Sequence, residues 1–181
     1  MLSHFWDLLV HLRGIPKNFH GTQVGVGTII MLNAHQYLRE IDPAKIDPQQ
    51  VLRRRPALEE IEAENKALYG DKADSFNAVA RKKHIPDGEY AAYVRSILDS
   101  WDTMWESIRP YVAQVETIRK PFEEAGVPYH LSDIRRTPAE AREALLHGSQ
   151  YRPRYTILDL LWELGLFPAA ADEILERSGV L

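Results

Sequence analysis

The sequence contains no cysteine, which excludes disulfides, thiolate zinc sites and cysteine nucleophiles. It also lacks an excess of positive charge: 22 Lys and Arg stand against 26 Asp and Glu, a formal charge of −4. A nucleic-acid footprint normally shows as a basic patch on a basic domain, so nucleic acid is not an expected partner. Long apolar runs are missing too. The stretch Val24–Leu32 is too short, and too broken by Gly25 and Gly27, to span a bilayer. Met1-Leu2-Ser3-His4 has neither the basic start nor the apolar stretch of a signal peptide, and the expected location is the cytoplasm. What is present is 45% apolar and 27% charged residues, the balance of a soluble globular protein. A chain of 181 residues can bury a sizeable core without staples, and a single domain over 1–181 is expected.

Strand signals are absent as well. No segment sustains period-two alternation, and no Asn-Gly or Asp-Gly dipeptide is flanked by such runs. Helical periodicity is frequent instead. From Glu89 to Arg109, the residues Val94, Ile97, Leu98, Trp101, Met104, Trp105 and Ile108 recur at steps of three and four. This predicts one long helix with a wide apolar stripe and two tryptophans one turn apart. Pro86-Asp87 marks its start, with Asp87 as N-cap, and Pro110 bounds its end. The stripe continues at Val112, Val115, Ile118 and Phe122 in a helix that stops near Gly126-Val127-Pro128.

Thr137-Pro138-Ala139-Glu140 combines a capping threonine, a proline at the first helical position and a glutamate able to close a capping box. Thr156 opens a helix through Leu164 that Gly165 stops, and Pro168 starts a last helix through about Arg177. At the front, helices are expected over Leu2–Arg13 and Thr22–Ile41. The stretch Asp42–Pro56, with three prolines and Arg53-Arg54-Arg55, reads as loop with one short helical turn. Polar helices follow over Ala57–Tyr69 and Ala73–Lys83. The expected fold class is all-α, a bundle-like domain of about eight helices. Its first helix is heavily apolar at Leu2, Phe5, Trp6, Leu8, Leu9 and Leu12, with no polar lead-in. Chain ends usually fray, so the expectation is that this sequence begins inside a larger protein.

No P-loop, G-x-S-x-G or H-E-x-x-H motif occurs. Gly21, Gly25 and Gly27 do not have the spacing of a dinucleotide fingerprint, and no strand precedes them. At Gly25 and Gly27 the expected role is close approach of a neighbouring helix or ligand. His20 sits just before a helix, where a side chain can reach a cleft and the helix N-terminus offers N–H groups to an anion. On spacing alone, a capping or partly buried polar role is simpler for it. His4 and His11 are two turns apart, roughly 10 Å, too far to share an ion at zinc–nitrogen bond lengths of about 2.0–2.1 Å. His35, His84, His130 and His147 have no partner at ligand spacing. Arg53-Arg54-Arg55 reads as a solvated loop, and Glu59, Glu60, Glu62 and Glu64 as a solvated helix face. Spacing alone completes no site and identifies no catalytic residue.

Three stretches carry a resemblance. They are Ser3-His4-Phe5-Trp6, then Phe19-His20-Gly21-Thr22-Gln23-Val24-Gly25-Val26-Gly27-Thr28, and then the run from Arg154-Tyr155-Thr156 to Leu164-Gly165-Leu166. In this order they resemble the C-terminal half of bacterial-type sn-glycerol-1-phosphate dehydrogenases. These form the AraM-like branch of the iron-containing alcohol dehydrogenase and dehydroquinate synthase superfamily. The His-Gly stretch is shared across the superfamily; the Arg-Tyr-Thr to Leu-Gly-Leu stretch is more specific to the branch. The resemblance implies the helical C-terminal domain of the dehydroquinate synthase-like fold. It implies that His20 is one ligand of a divalent ion, zinc or nickel, and that His4 contacts the substrate. The family's other ligands are an aspartate and a histidine four places before the position of His4, which falls ahead of Met1. The expectation is therefore that the partner histidine, the ligand aspartate and the N-terminal Rossmann-like NAD(P)-binding domain are absent from this chain.

The function implied is the metal- and substrate-binding part of an NAD(P)-dependent enzyme that reduces dihydroxyacetone phosphate to glycerol-1-phosphate. The part is expected to have little activity alone, to need a nucleotide-binding half as partner, and to form a homo-oligomer. One alternative is a stand-alone helical assembly module in which Leu2, Phe5, Trp6 and Leu9 mediate self-association. Another is part of a related glycerol dehydrogenase or dehydroquinate synthase-like enzyme.

Overall fold

The computed structural model describes residues 1–181, of which 75% are helical, with no strand. The helices are α1 (Leu2–Arg13), α2 (His20–Glu40), α3 (Pro48–Arg54), α4 (Leu58–Tyr69), α5 (Ala73–Lys83) and α6 (Asp87–Asp99). They continue with α7 (Trp101–Ile108), α8 (Val115–Glu124), α9 (Pro138–His147), α10 (Ile157–Glu163) and α11 (Ala170–Ser178). Nine have eight residues or more, while α3 and α10 have seven. The all-α expectation holds. None of the helices is long and apolar enough to cross a membrane.

Two places raise the number of helices above the expected one. In Asp42–Pro56, the prolines start helical turns instead of breaking them. Asp47 accepts a hydrogen bond from Gln49 N at 3.0 Å and Pro48 takes the first helical position of α3. Asp42 does the same for a 3₁₀ turn at Pro43–Lys45, through Ala44 N. The second place is Ser100, which divides the expected Glu89–Arg109 helix into α6 and α7. Its N–H is shared between Ser96 O and Ile97 O, both at 3.2 Å. Asp and Ser are poor helix interiors, and the break turns Trp101 into the core, edge to face with Trp105 at 5.7 Å. Asp87 is the first residue of α6 rather than its cap, and α11 begins at Ala170, two residues past Pro168. Both capped starts form: Glu140 closes a capping box with Thr137, and Asp159 closes one with Thr156.

The long helix α2 packs against α1, α8, α10 and α11, while α9 covers α1 and α11. Leu2, Phe5, Trp6 and Leu9 are at most 1% exposed. They share one contiguous core with Val26, Ile29 and Ile30 of α2 and with Ala141, Ala144 and Leu145 of α9. This overturns the self-association role given to these four side chains, because the domain's own helices already bury them. Trp6 also donates its indole N–H to Glu140 O at 3.3 Å. The glycines of α2 permit this packing. A Cβ on Gly27 would stand 3.5 Å from Leu2 Cβ, and one on Gly25 would stand 3.0 Å from the Phe122 ring of α8. In both cases the close neighbour is another helix of the same chain.

Candidate functional site

On α1, His4 and Asp7 lie three residues apart and so share a face. Gly14 ends that helix in the left-handed region (φ 65°), donating its N–H to Val10 O at 3.1 Å. The returning segment is fastened by Asn18 Nδ2, which donates to Ile134 O. The chain therefore re-enters helix at His20 beside the residues it has just left. The two imidazoles meet edge to face, with ring centroids 5.2 Å apart.

Asp7 divides its carboxylate between two donors. Oδ2 accepts from His20 Nδ1 at 2.8 Å, and Oδ1 accepts from Gln23 Nε2 at 2.8 Å. Gln23 is fully buried, and its Oε1 accepts from Arg136 Nη2 at 3.3 Å. Arg136, 4% exposed, also donates to Pro16 O at 2.9 Å. One series of hydrogen bonds thus runs from a buried guanidinium out to a half-exposed imidazole. A carboxylate only accepts, so Nδ1 of His20 is the donor in this pair and Nε2 is the ring nitrogen turned away from Asp7. The pKa of His4 is pushed below the ordinary histidine value by burial first, then by the positive charges of the N-terminal amine and Arg152. Tyr151 closes the far side of His4, with ring centroids 5.8 Å apart.

His20 and His4 were identified as separate candidates, and the fold brings them together. A histidine that ligates a metal usually gives its other N–H to a carboxylate, which fixes ring orientation, and the His20–Asp7 pair has that arrangement. Imidazole nitrogen suits zinc and nickel. One imidazole is not a site, however. No three His, Asp or Glu side chains come together in a geometry that would hold a metal ion, and Asp7 spends both oxygens on hydrogen bonds. The residues present fit part of a ligand set.

The remaining histidines lie elsewhere. His35 is edge to face with Trp105, His130 stacks on Tyr129, and His147 is buried beside Phe5. His84 accepts a hydrogen bond from Arg55 at 3.0 Å. Arg55 itself departs from the solvated-loop reading: its side chain is 14% exposed and lies over the Tyr90 ring at 4.0 Å. Sequence reasoning missed Asp7, Gln23 and Arg136. The spacing of Asp7 from His4 was a usable signal, whereas nothing local joins Gln23 to Arg136 across 113 positions.

No protein-family model matches the chain, and comparisons with curated proteins and with solved structures found no match either.

Proposed function

We propose that this chain is the metal- and substrate-binding part of an NAD(P)-dependent sn-glycerol-1-phosphate dehydrogenase. The observation that carries the proposal is the hydrogen-bond series Arg136–Gln23–Asp7–His20, which orients the Nδ1 side of His20 toward Asp7 and sets its ring beside that of His4. His20 is the metal ligand in this reading, and the remaining ligands and the nucleotide domain come from outside residues 1–181. A zinc or nickel ion bound there supplies Lewis acidity for a substrate carbonyl. The chain's own residues orient the ligand ring and receive the phosphate. No side chain caps the N-terminus of α2, so its first N–H groups are available to an anion next to His20. Arg152 adds positive charge near His4. Phe19 is 87% exposed directly before His20, and Val24 is 43% exposed one turn later. This apolar rim fits a face that another domain covers.

The test is reassembly with the nucleotide-binding half of a glycerol-1-phosphate dehydrogenase. The expected result is metal-dependent oxidation of NAD(P)H by dihydroxyacetone phosphate, lost in His20→Ala. No rescue by a cognate half, together with no metal response that depends on His20, would sink the proposal. Full activity on unphosphorylated glycerol, with none on glycerol-1-phosphate, would favour the glycerol dehydrogenase relative instead.

A further inference from the structure

Helices α4 and α5 form a hairpin that packs mainly on itself. Inside it Tyr69 stacks on Phe76 at 3.9 Å, Asn65 Nδ2 donates to Asn77 Oδ1 at 2.9 Å, and Arg81 pairs with Glu62 at 2.6 Å. A motif tied together in this way opens as one piece. Two attachments join it to the rest of the domain. One spans a cavity of about 140 Å³ whose lining includes Arg55 and Glu163, where Lys83 Nζ donates to Asp159 Oδ1 and to Ser149 O, both at 2.8 Å. The other is apolar. The Phe5 ring of α1 meets Tyr69 edge to face at 6.4 Å and lies nearly parallel to His147 at 6.5 Å. His147 does not belong in such a place. It is the last residue of α9, it is only 7% exposed, and its Nδ1 is buried without a hydrogen-bond partner.

Charged groups surround this ring without pairing with it. Arg13 of α1 is taken by Glu143 of α9 at 2.7 and 2.5 Å, and Arg142 of α9 by Asp172 at 2.9 Å. Tyr69 of α4 is also close to Phe5, but burial raises the pKa of its hydroxyl, which stays neutral. That leaves Glu64 of α4, which is exposed and is the carboxylate that most favours a charged His147. Burial acts the other way and dominates, so the pKa of His147 lies below the ordinary 6.5. The C-terminal turn of α9 also favours a cation. Core and helix end thus pull this side chain in opposite directions according to its charge. We propose that His147 is an acid-operated latch for the α4–α5 hairpin: neutral, it fills the core beside Phe5; protonated, it leaves for Glu64 and the hairpin loosens. The latch involves neither His20 nor His4 and does not rest on the dehydrogenase reading. Its sign follows from the lowered value. The open state binds the proton more tightly than the closed one, so closure is fully favoured above 6.5 and weakens as pH falls from there.

The experiment is amide hydrogen exchange of the intact chain between about pH 8 and about pH 5, corrected for intrinsic rates, with the His147 ring followed by NMR. Protection in α4 and α5 should fall up to about tenfold per pH unit below 6.5, the limit for one proton taken up on opening, while α2 and α11 keep theirs. His147→Gln, which cannot take up the proton, should abolish the fall. Glu64→Gln should move it to lower pH. His84→Gln, at the other end of α5 where the ring accepts from Arg55 at 3.0 Å, should leave it in place. Thermal melting at the upper pH shows that each variant is folded. Protection in α4 and α5 that ignores the protonation of His147, an equal fall in α2, or a fall that persists in folded His147→Gln would each overturn the latch. A fall unmoved in Glu64→Gln would overturn the pairing with Glu64.

Discussion

The histidine cleft and the Glu163 cavity handle polar groups in opposite ways. In the cleft, His20, Asp7, Gln23 and Arg136 form a series, each group holding the next and the last one open to solvent. In the cavity, groups close into short-range sets: Lys83 with Asp159, Arg55 with His84 and Asp87, and Glu163 with Tyr93 and Tyr155. A cut in a series is felt outward along it. A cut in a closed pair strands one charge and goes no further. The cleft thus ends in an oriented ring at the surface, whereas the cavity holds its charges in pairs that fasten one helix to the next.

The largest effect is expected where a closed pair is broken. Lys83→Met strands Asp159, whose side chain is only 8% exposed, and should cost about 3–5 kcal/mol in urea unfolding. Adding Asp159→Asn removes the stranded charge while keeping an acceptor for the Thr156 cap, and should recover most of that loss. Equal losses in the single and double variants would show that the pair is not closed. Next comes Arg136→Met, which leaves the buried Gln23 Oε1 without a donor and Pro16 O with only the long 3.5 Å bond from Asn18, and should cost about 1–3 kcal/mol. The His20 ring resonances should move as well. If they stay in place, the cleft is not a series.

A pH series separates Glu163 from both. Burial raises its pKa above the usual 4.5, and the hydrogen bonds from Tyr155 and Tyr93 offset only part of this. The folded state then holds that proton more tightly than the unfolded chain does. Stability from this group is lost as pH rises from 4.5 through the elevated value. Melting temperatures of Glu163→Gln should gain on the wild type across that range and then run parallel. A constant offset at every pH would contradict the assignment. The smallest stability change belongs to Asp7→Asn: the charge it removes pairs with a half-exposed His20, and the amide oxygen still accepts from the buried Gln23, so the loss should stay below about 1 kcal/mol. In the reassembled protein the same substitution should weaken metal affinity about 10- to 100-fold, as loss of an orienting carboxylate does. Unchanged affinity would remove Asp7 from the site.

Local signals carried much of the fold into the sequence. Leu2, Phe5, Trp6 and Leu9 at helical spacing, closed by Gly14, define α1 from Leu2 to Arg13. Thr137, Pro138 and Glu140 define the start of α9 in the same way. Ser100 was illegible because its neighbours keep a helical apolar period straight through the break, which only the packing of Trp101 reveals. Pro43 and Pro48 were misread because each follows an aspartate that caps a turn. At the cleft, a resemblance pointed to His4 and His20, but their juxtaposition depends on how the 15–19 segment returns, and Arg136 reaches them only through tertiary structure. The Glu163 cavity draws on residues from 55 to 163, so no window of sequence contains it.

The hydrogen atom that serves as the side chain of Gly25 has a mechanical consequence. The Phe122 ring sits so near the α2 backbone there that one added methyl would force it outward by a few tenths of an ångström. Since Phe122 is only partly buried, it has room to yield. Alanine at that position would press on α8 through this one ring alone, since no backbone atom of that helix lies within 4 Å of the added carbon. The contact between the two rods thus rests on a single swinging side chain, which would take up the displacement before either backbone had to.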